Sequence, residues 1–253
     1  MPKTKTQGIV FGLIMSYAMA YGMEVYNIAI KEGFNLNVGG FSTMTNQVFL
    51  GALIEASYMG VFVFLTSNLW GNRIGTAYGI FYKIQQFIYF AEFGIRDAIT
   101  PLVSYNYGRS NKKRVKEGEK YGLIYTIIIM LAGLAALNIF ACPLSGIFGL
   151  SAETQELCIR AMHIISVRFV FAGVNITVQG IFQALESGTG SLIISVLRLL
   201  AVPLPLAYLL SFSADASKII WWSLPAGEIV AAVVAVIMLR RVNRRIGIAG
   251  RLK

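Results

Sequence analysis

Residues 121–143 read YGLIYTIIIMLAGLAALNIFACP, and this stretch decides the fold class. No charged side chain interrupts it from Tyr121 to Pro143. A helix needs about 20 mostly apolar residues to cross the hydrocarbon core of a bilayer. Working outward, comparable runs lie at Gly8–Ile30, Gln47–Leu69, Ala77–Tyr105, Ile159–Leu185, Ser191–Phe212 and Ile219–Arg240. Turn formers or charges fill each gap: Gly33 to Gly40, Gly71 to Gly75, Tyr105 to Gly118, Gly146 to Glu156, Gly188 to Gly190 and Ser213 to Ser217. The runs must be helical, because an open sheet edge in lipid leaves backbone groups without partners. The expectation is an all-α polytopic membrane helix bundle of about seven transmembrane helices.

Composition agrees. The 253-residue chain is 56% hydrophobic and 13% charged, with a mean hydropathy of +0.66. A soluble domain carries about 25% charged residues, so polar surface is too scarce to cover a water-soluble globule. Gly8–Ile30 is too long, and too polar near Glu24 and Asn27, for a cleaved signal peptide. It reads as a retained helix.

The net charge of +10 is concentrated in two places. One is Arg109, Lys112, Lys113, Arg114, Lys116 and Lys120; the other is Arg240, Arg241, Arg244, Arg245, Arg251 and Lys253. Both flank long apolar runs, which is positive-inside bias toward cytoplasm and anionic lipid rather than nucleic-acid binding. Both should therefore be cytoplasmic, and the four crossings between them allow it. The segment Ser145–Glu156, with Glu153 and Glu156 and no base, suits the outer side. The start conflicts with this. Lys3 and Lys5 favour a cytoplasmic N-terminus, but three crossings from there would put Arg109–Lys120 outside.

TAYGIFYKIQQF (76–87), followed by FGIRDAITPLVSYNYGRSNKKRVKEG (93–118), resembles the C-terminal lobe of multidrug and toxin extrusion (MATE) transporters. The pattern is an Ala-Tyr-Gly opening, a Phe-Gly, a proline shortly before Ser-Tyr-Asn-Tyr-Gly, and a basic Arg-Val-Lys segment. GIFQALESG, ISVLRLLAVPLPLAYLLS and WWSLPAGEIVAAVVAVIMLRRV are similar to later helices of that lobe. The likeness runs from Thr76 to about Arg245. It departs from the family at Arg96 and Asp97, where uncharged residues are usual. Residues 1–73 resemble a different, uncharacterised family of small two-helix bacterial membrane proteins. The expected organisation is a two-helix hairpin (1–73), a MATE-like lobe fragment (76–245) and a basic cytoplasmic tail (246–253). Two helices standing in place of one would also account for the parity conflict.

The resemblance implies half of a secondary antiporter in a bacterial inner membrane. Such a protein exports cationic or amphiphilic small molecules against a proton or sodium gradient. It needs a second lobe, from another chain or by self-association, because alternating access rocks two halves around a central site. The competing reading is a fused or truncated membrane protein that does not transport. No enzyme, cofactor or metal site is expected: there is no nucleophile–base pair and no phosphate loop, and two cysteines, Cys142 and Cys158, cannot build a zinc cluster. They read as free thiols, with a bridge as the alternative. His163, alone, reads as a satisfied interfacial residue.

Polar groups within the apolar runs are costly in lipid and so mark sites or partners. Glu92 and Arg96 are four apart on one helix and Asp97 follows, so the trio either lines the lobe interior as an ion-coupling site or neutralises itself near the interface. Pro101, one turn on, should kink or break the helix between Asp97 and Tyr105. Asn175, Gln179 and Gln183 recur every four residues on one helical face, with Arg168 upstream. The stripe either lines a substrate cavity or ties helices together. Arg198 and Glu228 read as an interhelical pair. Trp221 and Trp222 read as interfacial belt residues.

Overall fold

The computed structural model describes Ile54, residues 72–213 and residues 216–249. Among these the chain is all helix: α1 (Asn72–Gly108), α2 (Lys112–Gly146), α3 (Ala152–Ser166), α4 (Phe169–Ala184), α5 (Gly188–Val196), a π-helical turn (Leu197–Ala201), α6 (Pro203–Leu210), α7 (Ala216–Ile219), a 3-10 turn (Ile220–Trp222) and α8 (Ser223–Ala249). The expected spans Gly8–Ile30 and Gln47–Leu69 lie outside the described residues, and with them the hairpin. Ile54, in that segment, packs against the larger apolar core.

Three helical stretches among the described residues are long and apolar enough to cross a membrane: Lys112–Gly146, Gly188–Leu210 and Ile220–Arg245. Ala152–Ser166 and Phe169–Ala184, bent by 52° at their junction, make a fourth if they cross together. The expected single span Ile159–Leu185 is therefore two helices. α1 is long enough to cross as well, but Lys83, Glu92, Arg96 and Asp97 lower its apolarity. A count of seven spans does not emerge from the described residues.

Other boundaries also move. The basic segment Tyr105–Gly118 is mostly not a loop. α1 runs to Gly108 and α2 starts at Lys112, with the Asn111 side chain accepting from the Arg114 amide at 3.2 Å. The turn between them is tight enough to hold Ser110 at φ 57°. At the other end α8 continues to Ala249, so the expected tail begins inside a helix. α1 passes through Pro101 as one helix, so of the kink or break expected there the break does not occur. The Thr100 hydroxyl donates to the Arg96 carbonyl at 2.8 Å in the turn before the proline.

Small residues set the helix spacing. Gly118, Gly122 and Thr126 recur every four residues on α2, the small-residue spacing that lets membrane helices approach. A Cβ on Gly118 would meet Leu102 and Val103 of α1, and one on Gly122 would run into Ile99. Farther along, Gly133 faces Ile88 in the same way. α4 packs on α1, α2, α5 and α8 and is the central helix. It is buried on nearly all sides, its polar residues Asn175, Thr177 and Gln179 included.

Two apolar clusters fill the bundle. One gathers Tyr78, Phe81, Met130, Phe169, Trp221 and Leu224; the other gathers Val103, Val115, Phe182, Ile194, Ala235 and Leu239. Trp221 is fully buried and stacks on Tyr78 at 6.4 Å, so it is a core residue rather than a belt residue, whereas Trp222 is half exposed. The 3-10 turn before α8 rotates one indole inward and leaves its neighbour outside.

The Asn243 side chain donates to Glu119 at 2.7 Å, joining the start of α2 to the end of α8. The Arg109–Lys120 cluster and the described part of the second cluster, Arg240–Arg245, therefore sit at one end of the bundle. Cysteines at Lys113 and Arg244, in a Cys142→Ser background, should resist a membrane-impermeant maleimide in intact cells, while Ala152→Cys should label. Labelling at Lys113 and Arg244 would reverse the orientation.

Candidate functional site

Between the two apolar clusters, by position along α1, α2, α4 and α8, lies a belt of buried polar groups. Glu92, Thr126, Asn175, Thr177, Gln179, Ser191, Ser195, Arg198 and Glu228 are all under one-tenth exposed. Buried polar groups in lipid must find partners within the protein, and the belt divides into two sets on different faces of α4.

The first set surrounds Glu92 of α1. Its Oε1 accepts from Thr177 of α4 at 2.8 Å and from Thr126 of α2 at 3.3 Å, and the two hydroxyls are 2.7 Å apart. Its Oε2 has no hydrogen-bond partner among the described residues. The anticipated Glu92–Arg96 pair does not form. Arg96 instead binds its neighbour Asp97 at 2.8 Å and lies over the Phe93 ring at 4.9 Å. The trio is thus split, with Glu92 inside and Asp97 exposed.

The second set joins α4 to α8 and to the π turn. Arg198 and Glu228 form the interhelical pair, Nη2 to Oε1 at 3.1 Å, with both side chains almost completely buried. Asn175 donates to Glu228 Oε2 at 2.7 Å and to its backbone carbonyl at 3.0 Å. Gln179 accepts from Arg198 at 3.3 Å and donates to Ser195 at 2.6 Å, and Gln183 donates to Ser191 at 3.2 Å. The amide stripe is therefore spent on α5, α8 and Arg198, and among the described residues only Asn175 Oδ1 of the buried amide oxygens lacks a partner.

Local backbone explains why Arg198 can reach. Pro203 cannot donate to a carbonyl one turn earlier, and the chain answers with a π turn, a feature frequent at functional sites. α8 comes close at this point because it has Gly227. A Cβ there would fall 2.7 Å from Pro203 Cγ and 3.0 Å from the Arg198 carbonyl. Gly227 precedes Glu228, so the close approach delivers the carboxylate to the guanidinium.

Arg168 stands apart, at the bend between α3 and α4. It donates to Gln85 Oε1 at 2.7 Å and lies 6.0 Å from the Phe81 ring centre. His163 meets Asn138 at 2.6 Å, as a satisfied residue should. Both cysteines are free thiols, Cys142 exposed and Cys158 buried. No group of three or more His, Cys, Asp or Glu residues among those described could hold a metal. Thr126, Thr177, Gln85, Ser191 and Ser195 carry no signal in the sequence. A hydroxyl in a membrane helix can always satisfy itself on its own backbone, so its presence does not announce a partner.

Comparison with known proteins places this geometry. The MatE family model matches residues 48–209, so the match begins inside the segment that resembles the two-helix family. The multidrug export protein MepA of Staphylococcus aureus (strain MSSA476) is 24% identical over 206 residues, covering 78% of this chain and 45% of MepA. MepA of Staphylococcus haemolyticus is 22% identical over 187 residues, covering 74% and 41%. The fold is similar to a multidrug resistance MATE family transporter of the MOP superfamily. Against its inward-facing form the TM-score is 0.75 at 20% identity, with 80% of this chain and 47% of the other covered. Against its outward-facing form the values are 0.72, 21%, 84% and 50%. The chain spans about half the length of the relatives it matches.

Proposed function

From the premise that this chain belongs to the MatE family, we propose that it is one lobe of a multidrug efflux antiporter, completed by a second lobe. The substrates are cationic or amphiphilic compounds, and the driving ion is a proton or sodium. The family's members are transporters rather than enzymes.

The observation that carries the reading is the placement of Glu92. A carboxyl held between α1, α2 and α4, with one oxygen bound by two hydroxyls and the other without a partner among the described residues, is costly in lipid and marks a cation-binding role. The Arg198–Glu228 pair, its neighbour across α4, acts as the fixed side of the same belt. Asn175, Gln179 and Gln183 hold α4 against α5 and α8 around it. A change in occupancy at Glu92 would then be felt by α2 and α4, whose Thr126 and Thr177 hydroxyls bind its carboxylate. Arg96 and Asp97, bound to each other at 2.8 Å, do not share the Glu92 carboxyl's hydroxyl partners.

The test uses efflux-deficient cells expressing this chain with and without a six-helix first lobe. A fluorescent cation should be expelled only when both are present, and Glu92→Gln should remove most of the gradient-driven flux while the protein still accumulates in the membrane. Flux that Glu92→Gln leaves intact would sink the coupling role. Flux from the chain alone, with no self-association, would sink the need for a second lobe.

A further inference from the structure

At the basic end of the bundle, an open groove of about 560 Å³ runs along the seam where α1 and α2 pack together. This lies within the range of ligand pockets, about 300–1,000 Å³. Ile95, Ala98, Ile99 and Leu102 of α1 form one wall; Gly118, Gly122, Tyr121 and Tyr125 of α2 form the floor and the other wall. Polar residues enter at one end only, as Asn106, Arg114 and Glu117. The groove is thus a long apolar trough with a charged mouth.

The mouth opens into an excess of positive charge. Arg109, Lys112, Lys113, Arg114, Lys116 and Lys120 lie along the adjoining sequence, against two acids, Glu117 and Glu119, and Arg114 lines the groove itself. Glu119 is turned inward and engaged by Asn243. Glu117 contacts Arg114 at 3.4 Å, but the Arg114 side chain stays largely exposed and keeps donors to spare. Arg109 is held away from the groove's acid by its own tyrosine, donating to the Tyr105 hydroxyl at 2.8 Å.

We propose that this groove is a binding site for an anionic phospholipid, with an acyl chain along Ile95–Leu102 and the phosphate at Arg114. Three features select that occupant. The site's polarity runs along the helices from apolar to basic, as a lipid's does from tail to head. Basic pockets between membrane helices on the cytoplasmic side attract acidic head groups. Tyr121 and Tyr125, both more than half exposed, stand where amphipathic rings meet the head-group layer. The site does not depend on transport. Ile95, at its apolar end, stands about one helical turn from Glu92, so occupancy would brace the α1–α2 pair that carries Glu92.

The experiment is native mass spectrometry of the full chain in detergent, titrated with phosphatidylglycerol or phosphatidylcholine. Phosphatidylglycerol should form the more persistent adduct. Arg114→Gln should weaken it by about five-fold. Ala98→Trp, which fills the trough from its exposed side, should weaken it comparably, and Lys113→Gln should do much less. Glu117→Gln should strengthen it or leave it unchanged. The site is refuted if phosphatidylcholine binds equally well, if Ala98→Trp has no effect, or if Lys113→Gln costs as much as Arg114→Gln. Loss of binding in Glu117→Gln would also overturn it, by requiring a head-group ammonium. Dimers abolished by Ala98→Trp, with lipid adducts unaffected, would assign the groove to a second copy of the chain.

Discussion

Arg198→Met should unfold this protein well below the temperature that the wild type survives. The guanidinium is bound to Glu228 at 3.1 Å and both side chains are almost wholly buried. Removing one member of a buried pair leaves the other charge without its partner, at a cost of about 3–5 kcal/mol. Asn175 would still donate to Glu228 Oε2 at 2.7 Å, but Oε1 would lose both nitrogens that serve it. Gln179 would lose the donor to its carbonyl oxygen. The double variant Arg198→Met/Glu228→Met removes both charges together and should recover much of the loss. Cys158 supplies the readout. It is fully buried, and with Cys142 changed to Ser it is the one remaining thiol in the chain. A thiol-reactive dye followed on heating in detergent should react earliest in Arg198→Met. If single and double variants melt together, the pair is not a unit and the belt is not organised around it.

Gly173→Val should be the most disruptive single glycine replacement in the central helix. A Cβ at Gly173 would lie 2.7 Å from both Met130 Cγ and Thr126 Cγ2. Neither atom is the loose end of a long chain. Met130 is fully buried, and a threonine is stiff about its first side-chain torsion. Overpacking of this kind costs about 1–3 kcal/mol. It also pushes on Thr126, one of the two hydroxyls on Glu92, so transport should fall further than stability alone explains. Gly94→Ala is the control, because nothing lies within 4 Å of its Cβ. It should be neutral, or stabilising by up to about 1 kcal/mol through helix propensity. Equal melting of Gly173→Val and Gly94→Ala would show that α2 and α4 are not in contact as described.

The pairing of Arg198 with Glu228 was legible because two opposite charges, each in an apolar run, have few alternatives to finding each other. The Glu92 site was half legible. The carboxylate stood out, but its spacing from Arg96 suggested a helical pair that did not form. Asp97 is the nearer partner, and Glu92 points to the side where α2 and α4 offer hydroxyls. The amide stripe was correctly seen as one face of a helix, yet periodicity cannot tell a face that meets a cavity from one that meets two other helices.

By itself the sequence determined that the chain is helical and suited to lipid, since twenty-residue apolar runs with charges gathered at their ends have no other stable arrangement in water or membrane. It also predicts that the basic clusters share one side, because the number of apolar runs it counts between them is even. Tertiary structure decided the rest. Where a span bends, as at Val167–Arg168, or tightens, as before Trp221, depends on what packs against it rather than on local composition. Which polar side chains become a site depends on close approaches that single glycines permit between helices far apart in the chain. Gly173 lets α4 reach Thr126, and Gly227 lets α8 reach Arg198. Those contacts join residues with no pattern in common along the sequence, and so only the folded bundle brings them together.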